Sequence, residues 1–271
     1  MSCICGTGDP GVQAYTNGGE KTGCLTLERD KWQPFGNHEP DVNSFPHATP
    51  VIMGNGVYIF GRNMSQFLPR GQSAWAPGPT QPPGGTFFGS CTVKISDKEF
   101  AVLGGQTDLT SRPVAIDIVF KFNTDTLQWT QLHKMTTKRS DHGCAFYSQV
   151  PNPYILIAGG RTGAGLKPEE YLSTTEIYYL KGASVNGGNL AEKRHFFNMV
   201  KTTKGKEQIY AIGGSTYGGR LCGGFLKRIE EWDPISKSWK ISQISLPRKM
   251  SRFGSVAVSS SILQCGFGNK R

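Results

Sequence analysis

Five times along this chain a short β-forming run ends against glycine: VYIFGR (57–62), FAVLGGQ (100–106), ILIAGGR (155–161), IYAIGGS (209–215) and LQCGFGN (263–269). A weaker event, QAYTNGGE (13–20), precedes them. Measured at the last glycine of each run, the intervals from Gly61 to Gly268 are 44, 55, 54 and 54 residues, and Gly19 to Gly61 is another 42. Tryptophan keeps the same beat at Trp32, Trp75, Trp129 and Trp239, with a missing beat near Ser184, where Tyr178 and Tyr179 supply aromatic bulk. Self-similarity at this period marks a repeat architecture.

Each unit reads as four strands. A first strand follows a basic or aromatic turn, as in HGCAFYSQV and FFNMVKTT, and the second is the apolar run ending in glycine. The third and fourth flank a turn, as in IVFKFNTDTLQWTQL and IEEWDPISKSWKIS, where Asn123 to Thr126 and Asp233 to Ser236 carry turn chemistry. A four-stranded sheet of this size cannot bury both its faces alone, so units must stack, and radial stacking gives an all-β propeller. The glycines then serve where the second strand leaves a crowded channel. The chain begins with a third-and-fourth pair (24–35) and finishes on a first-and-second pair (253–267), and pairing them in one blade would remove both exposed edges. Five blades follow from counting strand pairs, or six if residues 13–20 contribute to another.

These features resemble the kelch repeat family: a hydrophobic run, two glycines, a variable loop, an aromatic-hydrophobic strand, a turn, Trp, then basic residues before the next unit. The resemblance covers roughly residues 12 to 268 of a single domain spanning 1–271, degenerate before about 50 and clear over about 50–268. It implies a kelch-type propeller of four-stranded antiparallel blades, for which six blades is the commoner number. Similar propellers serve as protein interaction scaffolds, and some are enzymes.

The composition limits the partners. Thirty Lys and Arg against 20 Asp and Glu leave a net charge of +10, which favours acidic partners. The basic residues are dispersed, without a run of five, so nucleic acid is not the expected partner. No stretch approaches the length of apolar residues needed to span a bilayer. No signal-peptide pattern opens the chain as written, so a cytoplasmic, monomeric protein is expected, or a secreted one if a signal peptide is missing. The seven cysteines (3, 5, 24, 91, 144, 222 and 265) lack paired zinc spacing and are expected to be reduced and buried.

No GxSxG, HExxH or Walker sequence occurs, and no metal or cofactor is expected. His142 and His195 fall near the phase occupied by Phe87 and Phe253 in other units, which marks a packing position. With four antiparallel strands per blade, the second-to-third loops and the turns between blades emerge on one face. The residue after the glycines is Arg62, Gln106, Arg161, Ser215 or Asn269, and the turns between blades hold Lys138–Arg139, Lys193–Arg194 and Arg248, Lys249 and Arg252. Guanidinium groups there could clamp carboxylates bidentately. In BTB-kelch adaptors, which this chain resembles only in its propeller, arginines at these loop positions contact acidic motifs. The resemblance therefore carries partner binding to Arg62, Arg139, Arg161, Arg194 and Arg252. The expected function is a non-enzymatic interaction module that binds an acidic segment. The alternative is a propeller enzyme or carbohydrate-binding protein with a polar site at the channel mouth.

Overall fold

A computed structural model describes residues 23–26, 31–34, 49–61, 64–72, 74–82, 88–106, 114–149, 151–163, 171–202, 206–216 and 224–251. They form four complete four-stranded antiparallel sheets and one two-stranded pair. The first sheet is β3 (Val51–Met53), β4 (Gly56–Phe60), β5 (Ser65–Pro69) and β6 (Ala76–Pro77). The second is β7 (Cys91–Lys94), β8 (Glu99–Leu103), β9 (Val119–Asn123) and β10 (Gln128–Gln131). The third is β11 (Gly143–Tyr147), β12 (Tyr154–Ala158), β13 (Thr175–Tyr179) and β14 (Val185–Gly187). The fourth is β15 (Asn198–Thr202), β16 (Gln208–Ile212), β17 (Leu226–Asp233) and β18 (Ser238–Met250). In every sheet the strands neighbour one another in chain order, and the first strands β3, β7, β11 and β15 lie beside one another in succession. This is a β-propeller with the first strand of each blade innermost. Among the described residues no helix is long and apolar enough to cross a membrane.

Four blades are seen where five or six were expected. The pair β1 (Gly23–Thr26) and β2 (Lys31–Pro34) is antiparallel, as expected for two strands of a further blade. The strands expected to complete it, within 253–267, lie outside the described residues.

The unbroken apolar runs have a simple cause. A strand inside a blade shows alternate residues to opposite faces, and here both faces meet a neighbouring blade. On β8, Phe100 and Val102 pack toward the first blade against Tyr58 and Phe60. Ala101 and Leu103 pack the other way, against Ile155 and Ile157 of the third blade. On β12, Tyr154 and Leu156 turn toward Ile209 and Trp232 of the fourth. Residues 100–103 and 155–158 are consequently buried without a break.

The glycine pairs end these strands where a side chain has no room. Gly159 and Gly160 adopt φ of 62° and 90°, and Cβ atoms built on them would lie 2.5 Å from the Arg194 carbonyl oxygen and 2.6 Å from that of Ser140. The turn and the close approach of the next blade both require glycine. At the missing tryptophan beat, His133 of the second blade stacks on Tyr178, with ring centroids 4.1 Å apart. It stands where Trp129 meets Phe122 in the second blade and Trp239 meets Trp232 in the fourth.

Cys91 and Cys144 are joined in a disulfide, with Cα atoms 6.0 Å apart. This corrects the expectation of free thiols for these two. Cys91 pairs with Leu103 in its blade, and Gly143 holds the equivalent place opposite Ala158. Cys144 is thus one position beyond equivalence, on the opposite face of its strand, where adjacent blades confront each other.

Candidate functional site

The described ends of the second-to-third loops and the blade-to-blade turns lie on one face. The residue after each diglycine bridges both kinds of segment: Gln106 meets Phe88 and Ala115, Arg161 meets Ser140 and Tyr171, and Ser215 meets His195 and Phe225. These bridges align the turns residue by residue. Gly89, Asp141 and Phe196 occupy one position, all with positive φ of 67°, 54° and 51°. Asp141 donates its backbone N–H to the Gly89 carbonyl at 2.7 Å, and Phe196 donates to that of Asp141 at 3.0 Å. The turns therefore form a hydrogen-bonded chain from blade to blade.

The expected arginine ring is only partly here. Arg139 and Arg194 are buried, and they point into the next blade instead of solvent. Arg139 donates through Nη1 to the Gly159 carbonyl (2.8 Å) and the Thr174 carbonyl (3.1 Å). Burial pushes its pKa down to about 10, opposed by the charge of Glu176. Arg194 donates through Nη1 to the Gly213 carbonyl at 3.0 Å and ion-pairs through Nη2 with buried Glu230. Burial lowers its pKa as well, with Glu230 opposing. The two carboxylates reach back: Glu176 accepts from the Thr136 N–H at 2.9 Å, and Glu230 from the Ala191 N–H at 2.8 Å. Both arginines are thus inter-blade clamps. Their backbones lie in the turns between blades, and their side chains turn inward to the next blade.

Arg161 lies at the mouth, with its side chain 14% exposed, Nε donating to buried Asp141 at 2.6 Å and its guanidinium over the Phe196 ring at 5.7 Å. Gln106 donates to the Ser140 hydroxyl at 2.8 Å beside this pair. Arg62 and Arg252 lie outside the described residues. The exposed cations beside the buried arginines of the turns are Lys138 and Lys193; Lys249, expected in a turn, lies on strand β18 and is also exposed.

The histidines separate. His195 is equivalent to Ser140 and stacks on Tyr171 with centroids 4.4 Å apart. His142 is equivalent to Phe197, and its ring contacts the place where a side chain on Gly104 would stand. Neither His142 ring nitrogen has a hydrogen-bond partner among the described residues. Burial, aided by Arg139, lowers its pKa to about 3. An unfolded histidine titrates near 6.5, so between these values only the unfolded chain takes up the proton, and stability falls as pH drops below about 6.5. At pH 5 the expected loss from His142 is about 2 kcal/mol. His142→Phe should remove that part of the acid sensitivity, measured as the difference between urea midpoints at neutral pH and pH 5. Equal pH dependence in the two proteins would contradict it.

The fourth blade carries a feature absent from the other three complete blades among the described residues. Its outer strand β18 runs for 13 residues, against 2, 4 and 3 in β6, β10 and β14. Its pairing with β17 breaks register twice, between Glu230 and Arg228 and between Arg228 and Leu226. Bulges of this kind re-aim side chains. Ile241 and Ile244 are left 57% and 69% exposed, near Phe225 at 40%. These three line a groove of about 1030 Å³, with Lys193, Lys227 and Lys249 also on its walls. Arg228, on the same groove, is ion-paired with Glu192. Among the described residues no three or more His, Cys, Asp or Glu side chains are placed to hold a metal. The sequence reading missed this groove, because ISQISLPRKM looks like a connection to the next blade.

No protein-family model matches the chain, and no curated protein matches it by sequence. Solved structures do match. That of YjhT aligns with a TM-score of 0.59 at 16% identity, over 77% of this chain and 67% of that one. The fold is shared.

Proposed function

We propose that this chain is a kelch-type propeller acting as a non-enzymatic interaction module, binding an acidic partner segment through the face of the blade-to-blade turns. The observation that carries this reading is the division of labour in those turns. Each buried arginine is preceded by an exposed lysine, so Arg139 and Arg194 hold the blades while Lys138 and Lys193 face solvent. Lys249 adds a third cation, and Arg161, with Arg62 and Arg252, completes the proposed set. We further propose a ring of five or six blades in which β1 and β2 pair with strands from 253–267. The polar group of Ser140, Asp141 and Arg161 supports a second reading, an enzyme or carbohydrate site at the mouth. Asp141 already compensates Arg161, so the first reading rests on the exposed lysines.

The test is binding of a fluorescein-labelled oligoglutamate. Its affinity should fall as salt rises, since exposed charge pairs are screened. Reversing Lys138, Lys193 and Lys249 to glutamate should weaken it by roughly tenfold or more, at about 0.5–1 kcal/mol for each exposed pair. Reversing Lys98 and Lys121, which pair with Asp125 and Glu99 beside the other turns, should cost much less. Equal losses in the two variants would reduce the effect to net charge and remove the face.

A further inference from the structure

We infer that the groove on the fourth blade seats an apolar side chain of that acidic segment, which lies extended along β18. This rests on the functional reading above and names the place and the chemistry of contact. The argument starts from the repeat. Outer strands of two to four residues suffice to complete the other three blades, so most of β18 is surplus to the fold. The surplus is not idle loop. It is a strand bulged twice against β17, with Ile244 inside the first bulge and Ile241 at its edge opposite Glu230, and both are exposed beside Phe225. The first bulge is fixed by the Ser242 hydroxyl, which donates to Glu231 at 2.6 Å and accepts from the Ile244 N–H at 3.2 Å. Large aliphatic groups held outward on a fixed backbone mark a contact surface.

The surroundings define the occupant. Lys193, Lys227 and Lys249 are exposed, and none has an ion-pair partner among the described residues. Arg228 is already compensated by Glu192. The wall thus lacks three negative charges, which a segment with Asp or Glu on both sides of an aliphatic or aromatic residue would supply. β18 is the outer strand of its sheet and pairs, among the described residues, only with β17. Its outer backbone edge can therefore take an extended segment by strand addition, with alternate side chains directed to the groove.

The experiment uses two fluorescein-labelled acidic peptides of equal charge and length, differing only at one central residue, leucine in one and alanine in the other. The full chain should bind the leucine peptide roughly tenfold more tightly, the worth of burying that side chain. Ile241→Ser with Ile244→Ser should abolish the preference while leaving the salt-dependent affinity for the alanine peptide. Lys227→Glu with Lys249→Glu should weaken both peptides. Equal binding of the two peptides to the unaltered protein, or a preference that survives the serine variant, overturns the groove and leaves the acidic-segment reading standing. Absence of binding by either peptide at low salt overturns both.

Discussion

Arg194→Ala is expected to destabilise the propeller by about 3–5 kcal/mol, because it leaves the Glu230 carboxylate buried without its cation. The Gly213 carbonyl, on the blade's diglycine, loses its donor in the same step. Truncating both partners should be milder. Arg194→Met with Glu230→Leu removes two buried charges and keeps the volume filled, so much of the single-variant loss should be recovered. Urea unfolding of the unaltered protein, both single variants and the double variant measures the coupling between the two groups. A loss below about 1 kcal/mol for Arg194→Ala would mean that the pair does not hold the third and fourth blades together.

Reduction of the Cys91–Cys144 bond is the second large effect. The bond closes a loop that contains all of the second blade, at a sequence separation of 53. Restricting an unfolded loop of this length is worth about 4 kcal/mol in the chain-entropy description. A reducing agent should therefore lower the thermal midpoint by roughly 10 °C for a protein of this size. Cys91→Ala with Cys144→Ala should start near the lowered value and show no further response to reductant. Mass spectrometry under non-reducing conditions provides the direct check. Two free thiols at these positions would contradict the structure.

The strand order within a blade was legible because burial on both faces writes itself into sequence as an unbroken apolar run, as in Phe100 to Leu103. The glycines were legible because a reversed backbone against a neighbouring carbonyl leaves few alternatives. The clamps were not. A turn position places the Arg194 backbone at the mouth, but its side chain answers to Glu230, 36 residues later, and to a carbonyl in another blade. The disulfide escaped for a related reason. Spacing rules for cysteine look for local pairs, whereas Cys91 and Cys144 meet because Cys144 sits one residue beyond the strand position equivalent to Cys91, on the confronting face. The groove was hidden in residues whose composition resembles a connection. Only the pairing of β17 and β18 reveals that Ile241 and Ile244 belong to a strand and point outward.

The alternation of side chains along β8 and β12 has a consequence for assembly. Each seam between blades has its own chemistry. The first and second blades meet through Phe60, Phe100, Phe122 and Trp129. The second and third meet through aliphatic side chains, the His133–Tyr178 stack and the sulfur bridge. The third and fourth meet through tyrosine and tryptophan, with the Trp232 indole donating to the Tyr154 hydroxyl at 2.9 Å. Repeat proteins are prone to pairing the wrong units while they fold, since every unit resembles the others. In this chain a blade docked out of turn would separate the Trp232 indole from the Tyr154 hydroxyl, His133 from Tyr178, and Cys91 from Cys144. The seams act as an address code, so the order of the blades is enforced by chemical mismatch as well as by the connecting chain.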